Sequence, residues 1–202
     1  MVTTPVTSIT FEEYLTYDDG SDFHYELVDG KLELMNPPTI EHFLIAKFLE
    51  QSLDAEIKRC NFSWLCFREN GVRTGRNKSR LTDLCVVTLE QARELLNASA
   101  VFESPPLLIV EVVSPESVKR DYRYKRSEYA ALEVAEYWIV DPLETKISVL
   151  LLEDGFYEET VFTATQQIVS RTFPELAIPT AHFVNAVDQI LTAGNLNQER
   201  RD

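Results

Sequence analysis

One stretch, residues 106–142, constrains the fold more than any other part of the sequence. It holds an apolar run from Leu107 to Val113, a turn at Ser114-Pro115, a helical pattern and a second apolar run from Tyr137 to Val140. Short apolar runs bounded by turn residues are typical of buried strands. The order strand, helix, strand therefore predicts a βαβ unit within a mixed sheet.

Two carboxylates interrupt apolar runs of this kind. Glu111 lies in the middle of the first run, and Asp83 lies in an earlier predicted strand, Leu81–Val87. Because side chains alternate between the faces of a strand, each acid shares a face with apolar neighbours. Each acid alone is compatible with a strand end that reaches solvent. Together they are also compatible with a shared site for Mg²⁺ or Mn²⁺, which prefer oxygen ligands.

One amine interrupts the apolar stripe of the predicted helix, about residues 117–132. The stripe, with spacings of four, three, four and three, consists of Val118, Tyr122, Lys125, Tyr129 and Leu132. This spacing places Lys125 on the inward side of an α-helix. Three environments are compatible with its burial: an amine that snorkels to the edge, a local pair with Asp121, or carboxylates at the strand ends.

The other segments predict a chain of ordinary elements. They are a helix at 10–17, a hairpin at 23–35, a helix at 40–59, a strand at 62–67, a basic strand end and mobile loop at 69–80, a helix at 88–97, a loop at 97–104, a hairpin at 146–162 and a final helix at 180–191. The two hairpins contain the turn pairs Asp29-Gly30 and Asp154-Gly155.

Charge is unevenly distributed along the chain. The formal net charge of −14 argues against a nucleic-acid partner when it is taken alone. The windows 68–80 and 119–126, however, each contain five bases and one acid. Such separation can aim a positive patch at an anion, although two solvated charged segments would have the same composition.

No run approaches the roughly 18 apolar residues needed to cross a bilayer, and the first residues lack the features of a signal peptide. Cys60, Cys66 and Cys85 form no CxxC pair and predict reduced thiols in a cytoplasmic protein.

Several of these segments together resemble a known family. Asp83 in LTDLCVV, Glu111 in VEVVSP and Lys125 in YRYKRSEYA are similar to the signature of the PD-(D/E)XK nuclease superfamily. More closely, the chain resembles the bacterial family described as "putative restriction endonucleases". This resemblance covers nearly the whole length and includes YELVDGKLELM near the start and EYWIVDP after the helix.

The resemblance implies a restriction-endonuclease-like fold of the α/β (α+β) class. A central mixed β-sheet would be flanked by helices and accompanied by additional β-hairpins. We expect a single domain over residues 1–202, with an N-terminal helix and hairpin at about 8–36, a nuclease core at about 40–142 and a C-terminal hairpin and helix at about 146–192.

The resemblance also implies roles for individual residues. Asp83, Glu111 and the carbonyl of Val112 would bind Mg²⁺, with Mn²⁺ as an alternative. Lys125 would orient or activate the attacking water, or stabilise the charge that develops on the phosphate. Glu26, in the YEL segment, would be an accessory acid of the metal site, although a polar position in an exposed hairpin would explain it equally well.

The chain departs from the family pattern at four positions. Thr82 replaces the proline before the aspartate, and Val113 stands where the motif usually has its lysine, so the catalytic amine depends on Lys125. Glu133 and Ala135 replace the glycine and proline common after the helix, which changes a turn but no expected ligand.

The expected activity is metal-dependent hydrolysis of DNA phosphodiester bonds by a homodimeric endonuclease. The rival is a catalytically inactive dimeric binding or regulatory module that keeps the fold. Hydrolysis of another phosphorylated substrate is a third alternative. Cleavage assays on the wild type, Glu111→Ala and Lys125→Ala separate the first from the others.

Overall fold

The computed structural model describes residues 8–177 and 180. The helices are α1 (Phe11–Leu15), α2 (Ile40–Arg59), α3 (Leu89–Glu94), a π-helix (Arg120–Lys125) and α4 (Arg126–Ala131). The strands are β1 (Tyr25–Val28), β2 (Lys31–Leu34), β3 (Trp64–Arg68), β4 (Gly71–Gly75), β5 (Lys78–Leu81), β6 (Leu84–Thr88), β7 (Val101–Phe102), β8 (Leu108–Val112), β9 (Glu136–Asp141), β10 (Lys146–Glu153) and β11 (Phe156–Thr163). The final helix predicted at 180–191 lies outside the described residues, except for residue 180.

The larger sheet is mixed and has six strands in the order β11-β10-β9-β8-β6-β3. Strands β8 and β9 are parallel and are joined by the π-helix and α4, so the predicted βαβ unit is confirmed. All other pairs in this sheet are antiparallel. The βαβ unit therefore lies at the centre of the sheet, and β8, which contains Glu111, is the neighbour of β6, which Asp83 immediately precedes.

Strand alternation divides the apolar residues of the larger sheet between two cores. On one face, Leu84, Val110 and other sheet residues pack against α2, whose apolar stripe includes Leu49 and Leu53. On the other face, Cys85 and Ile109 belong to a core that includes Tyr129 of α4. Helix α2 and helix α4 thus cover opposite faces of the sheet.

A second mixed sheet has five strands in the order β2-β1-β5-β4-β7. The larger sheet is the central mixed sheet expected from the sequence, and the expected N-terminal hairpin belongs to this second sheet. Strands β4 and β5 form an antiparallel hairpin, so the interpretation of segment 69–80 as a strand end and mobile loop was wrong. The hairpin is held by its pairing with β1 and by buried contacts of Val72 in the core under α4, which its polar composition does not reveal.

Two local predictions need correction near the site. Asp83 does not lie inside a strand, because β5 ends at Leu81 and β6 begins at Leu84. The segment from Arg120 to Lys125 is π-helical rather than α-helical. The turn after α4 requires a left-handed residue, which here is Glu133 with φ 64°; this is the position where the family commonly has glycine.

Both predicted hairpin turns are present. Asp29 and Gly30 have φ values of 50° and 77°, and Asp154 and Gly155 have φ values of 48° and 84°. Positive φ at both central residues is typical of the tight turns that match strand twist. All three cysteines are free thiols, as predicted. No helix among the described residues is long and apolar enough to span a bilayer.

Candidate active site

Lys125 is the centre of the candidate site and, as predicted, faces inward. Its side chain is 3% exposed. The ammonium lies 2.8 Å from Glu111 Oε2, 3.5 Å from Glu26 Oε1 and 3.9 Å from Asp121 Oδ1, and donates a 2.7 Å hydrogen bond to the carbonyl of Leu81. Burial alone would lower the pKa of Lys125, but the surrounding carboxylates outweigh that effect and raise it. Snorkelling is therefore excluded.

Glu111 extends from β8 into the same buried cluster. Its Oε2 faces Lys125, and its Oε1 accepts a 2.7 Å hydrogen bond from the hydroxyl of Tyr129. Burial, with the negative charges of Asp83 and Asp121, raises the pKa of Glu111 even though Lys125 opposes the shift. A carboxylate that is fixed by two partners and still lacks enough positive charge is suited to hold a further cation.

Asp83 occupies the point where β6 and β8 separate. The last backbone pair of these strands is Leu84 with Val110. One step further, Asp83 Oδ2 accepts the Val112 N–H at 2.6 Å, so a side chain replaces the next contact of the ladder. The separation opens the sheet beside Glu111 and creates the start of a cleft.

His42 of α2 is the second partner of Asp83, with its Nε2 3.1 Å from Asp83 Oδ2. Burial opposes ionisation of Asp83, but His42, Lys125 and the Val112 N–H together lower its pKa. Sequence reasoning missed this histidine, since its search considered only His/Cys zinc sites. Its spacing from Ala46, Leu49 and Leu53 on the inward stripe of α2 was the available signal.

Glu26 is buried and is not the exposed hairpin residue that one interpretation allowed. Its Oε2 accepts a 2.7 Å hydrogen bond from Arg80, and its Oε1 accepts the Leu81 N–H at 3.2 Å. Burial opposes ionisation, but Lys125 and Arg80 outweigh it and lower the pKa of Glu26. Glu26 therefore favours its ionised form and is a second carboxylate partner of the Lys125 ammonium, at 3.5 Å.

Asp121 is a further buried acid beside Lys125. Its Oδ2 accepts a short hydrogen bond from Ser117, while its Oδ1 makes no hydrogen bond within the described part of the chain. Burial raises the pKa of Asp121. The local pair with Lys125 that helical spacing allowed is thus present only at 3.9 Å, and Glu111 is the closer partner.

These side chains form the floor of one cleft of about 380 Å³. Its lining includes all five residues predicted for the site, which are Glu26, Asp83, Glu111, Val112 and Lys125, together with His42, Asp121 and Arg120. The structure therefore brings the predicted residues together. Among the described residues, no cluster of three or more His, Cys, Asp or Glu side chains is arranged to hold a metal ion by itself.

The donor set nevertheless fits a hard divalent ion. Such ions commonly use one or two protein carboxylates and complete their coordination with waters and a carbonyl. Asp83 and Glu111 are adjacent to the carbonyl-bearing residue Val112 at the strand split, and Asp83 is partly exposed to the cleft. Asp121 Oδ1 is buried without a hydrogen-bond donor among the described residues, and the pKa of Glu111 is raised. Both observations indicate that a bound cation would stabilise the ionised carboxylates of the cleft.

The first basic window does not form a free positive patch. Arg80 is bound by Glu26 and Glu128, Arg68 by Glu50 and Lys78 by Asp29. Arg73 in the same window pairs with Glu103 and lies over the ring of Phe11. These charges serve the fold, so the view that they form one anion-directed patch is not supported.

Comparisons with known proteins agree with this architecture. The fold is similar to that in the crystal structure of "a putative nuclease belonging to DUF820" from Anabaena variabilis. The TM-score is 0.74, and the sequences are 19% identical over 88% of this chain and 98% of that one. This likeness confirms the predicted fold class. The type IIG restriction endonuclease BpuSI gives a TM-score of 0.41 and 12% identity over 77% of this chain and 17% of its own. No curated protein matches the chain.

A family profile completes the comparison. It covers residues 11–181, which is most of the chain and includes every residue of the site. The chain therefore belongs to the Uma2 family, whose description is "putative restriction endonuclease".

Proposed function

We propose that the protein is an endonuclease that hydrolyses DNA phosphodiester bonds at this cleft, with Mg²⁺ or alternatively Mn²⁺ as its cofactor. The observation that carries the proposal is the buried pair of Lys125 and Glu111, 2.8 Å apart, beside Asp83 at the strand split. A divalent ion held by Asp83, Glu111 and the Val112 carbonyl would lower the pKa of a bound water and offset charge on the phosphate.

Lys125 would supply a fixed positive charge at the reacting phosphate. Its ammonium is held by Glu111, Glu26 and the Leu81 carbonyl, so it needs no rearrangement when negative charge develops. Preorganised charge of this kind stabilises a transition state more effectively than mobile charge does. Glu26 has no direct role in this mechanism and acts by holding the amine.

The two proposed ligands are themselves oriented by neutral or cationic donors. Tyr129 fixes Glu111 through one oxygen, and the Val112 N–H and His42 fix Asp83 through one oxygen. A carboxylate oxygen has more than one acceptor position. These contacts therefore orient the ligands without exhausting their capacity to bind.

The direct test is cleavage of supercoiled plasmid and of single-stranded DNA with Mg²⁺ or Mn²⁺. We expect Glu111→Gln and Lys125→Met each to lower the cleavage rate by about 100-fold or more, as for removal of a preorganised charge. Glu158→Gln, an exposed change on β11, is the matched control and should keep wild-type activity. Wild-type activity no higher than that of both variants would refute the proposal.

A second readout tests metal binding without catalysis. A ligand that binds only the folded state raises thermal stability in proportion to the logarithm of its concentration. We expect Mn²⁺ to raise the melting temperature of the wild type but not of Asp83→Asn. An equal rise in both proteins would place the ion elsewhere.

One observation favours the rival function, a homodimeric binding or regulatory module without catalysis. Arg68, Arg73, Lys78 and Arg80 are bound in intramolecular ion pairs, and the chain is strongly acidic. These features weaken an extended contact with DNA. A dimer in sedimentation experiments that binds no Mn²⁺ and cleaves no DNA would establish the rival. A single domain, a homodimer and a cytoplasmic location with reduced thiols remain part of our proposal.

A further inference from the structure

One wall of the cleft is apolar and solvent-exposed, in contrast to its charged floor. Phe23 is 58% exposed, Leu34 is 50% exposed and Phe43 is 37% exposed. All three line the same cleft as Asp83 and Glu111. Large apolar side chains grouped at a cleft commonly mark a binding surface.

The apolar wall has no evident role in folding. Phe23 precedes β1, Leu34 ends β2, and Phe43 lies in the first turn of α2, so three separate elements contribute to it. None of the three belongs to either buried core of the described structure. Single exposed apolar residues are common on protein surfaces, but these three are grouped at the cleft that contains Asp83 and Glu111, which favours a binding role for them.

Arg120 adds a cationic group to the rim of the same cleft. Its Nε is buried but donates no hydrogen bond within the described residues, and its nearest acid, Asp121, lies 3.9 Å away. Arg68, Arg73 and Arg80 of the first basic window, by contrast, have close carboxylate partners. Arg120 is therefore a cleft cation with donor capacity left for an anionic ligand.

We propose, building on the proposed function, that the substrate is unpaired DNA: a nucleobase face lies on the apolar wall while Arg120 binds a neighbouring phosphate. Proteins that bind single strands combine these two features, an aromatic platform and a cationic contact to the backbone. The cleft volume, about 380 Å³, lies within the usual range of about 300–1,000 Å³ for small-ligand sites. Phe23 and Arg120 would determine specificity rather than take part in the chemical step.

Unpaired DNA fits this surface better than a duplex does. In a duplex the base faces are stacked on each other, so an enzyme must extrude a base before a side chain can contact its face. Duplex binding also depends mainly on many cationic contacts to phosphates. In this protein, four basic side chains of the window 68–80 are already held in intramolecular ion pairs. Stacking of a nucleobase on an aromatic side chain, in contrast, needs no net positive charge.

Binding of a single-stranded oligonucleotide that carries 2-aminopurine tests the proposal, with Ca²⁺ in place of Mg²⁺ to prevent turnover. Stacking on Phe23 should quench the 2-aminopurine fluorescence of the wild-type complex. We expect Phe23→Ala to weaken single-strand binding about tenfold, on the order of 1.4 kcal/mol, and Phe23→Trp to preserve it. Phe156→Ala is the matched control, because Phe156 is 76% exposed on β11 and does not line the cleft.

Salt dependence separates the two contacts. Arg120→Gln should reduce the slope of log affinity against log salt by about 0.7, the value for one phosphate contact to a single strand. Phe23→Ala should leave that slope unchanged, since stacking releases no counterion. Equal affinity of the wild type for single-stranded and duplex DNA, or wild-type binding by Phe23→Ala, would overturn the inference.

The fluorescence assay and the cleavage assay together distinguish this inference from the proposed function. Fluorescence quenching that requires Phe23, in a protein that cleaves no DNA with any ion, would refute catalysis and keep the single-strand site. Plasmid cleavage that requires Glu111 but is unaffected by Phe23→Ala, without quenching, would keep the nuclease and refute the site.

Discussion

A single buried ammonium is the shared cationic partner of several carboxylates at the end of β8. Lys125 approaches Glu111, Glu26 and Asp121 within 3.9 Å, and all four side chains are at most 3% exposed. Removing one partner of a buried ion pair costs more than the pair contributes, because the remaining charge is left without compensation. The ion pairs of Lys125 therefore also stabilise the folded state.

This reasoning predicts a non-additive response to mutation. Lys125→Met should lower the free energy of unfolding by about 3 kcal/mol, since it leaves Glu111 buried without its cation. Glu111→Gln keeps an acceptor for Tyr129, and in the double variant it should restore part of that loss. Urea unfolding of the wild type, both single variants and the double variant measures the coupling. Additive changes would show that the pair does not control stability.

At the residue scale, the sequence predicts burial better than it predicts partners. Helical spacing placed Lys125 inward, and alternation placed Glu111 on a packed face, because both patterns depend on local geometry alone. The contact of His42 with Asp83 joins residues 41 positions apart, and no local pattern encodes it. Arg80 looked like one member of a basic window, although it is a buried partner of Glu26.

At the scale of an element, the β4–β5 hairpin is stabilised by contacts that its polar composition does not predict. Arg80 of β5 donates two hydrogen bonds of 2.7 Å to Glu128 of α4, and Thr74 of β4 donates a third at 2.8 Å. Glu128 therefore ties the smaller sheet to α4, the helix that directly follows Lys125. Segment 69–80 reads as a loop because its stabilising contacts are charged and long-range rather than apolar and local.

This anchor predicts a pH-dependent contribution to stability. Burial opposes ionisation of Glu128, but Arg80 outweighs it and lowers its pKa below the unfolded value of 4.5. A lowered acid pKa stabilises the fold above the unfolded pKa, and this stabilisation is lost as the pH falls through the folded pKa. Glu128→Gln should thus cost about 2 kcal/mol at pH 7, as for hydrogen bonds to charged groups, and progressively less below pH 4.5.

Urea unfolding at several pH values measures that difference. Glu158→Gln is the control, because Glu158 is exposed on β11 and should change stability little at any pH. A cost of Glu128→Gln that stayed constant from pH 7 to acid pH would contradict the ionic origin of the anchor.

The π-helix is the element that sequence patterns were least able to predict. The stripe of four-three-four-three spacing fits an α-helix, yet residues 120–125 adopt a wider turn. In that turn both Asp121 and Lys125 are buried, and Ser117 bonds Asp121. Short π-helical segments are frequent at functional sites. Tertiary contacts around one amine, rather than local propensity, explain this backbone.

At the scale of the whole molecule, the charged residues have two separate roles. Most basic side chains of the window 68–80 form ion pairs that stabilise the fold, whereas the cations of the cleft are placed to bind a ligand. The net charge is −14, while the cleft rim carries Arg120 and the floor carries Lys125. An acidic surface repels an approaching polyanion at distances up to the screening length, about 10 Å at 0.1 M salt. The general charge should therefore slow DNA association without altering the contacts of the bound state.

Charge reversal far from the cleft tests this separation. Glu144 and Glu158 are exposed and line neither wall of the cleft. Each change to lysine removes one negative and adds one positive charge, so Glu144→Lys with Glu158→Lys moves the net charge from −14 to −10. We expect association with a labelled single strand to accelerate by roughly threefold at low salt, because long-range fields act on the encounter rate.

Stopped-flow fluorescence at low and high salt separates this effect from a new binding contact. The rate difference between the double variant and the wild type should disappear near 1 M salt, where the screening length falls to about 3 Å. The dissociation rate should be equal in both proteins at every salt concentration. Slower dissociation of the variant would mean that the added lysines touch DNA directly, and the bound strand would then extend over the β10–β11 side of the larger sheet.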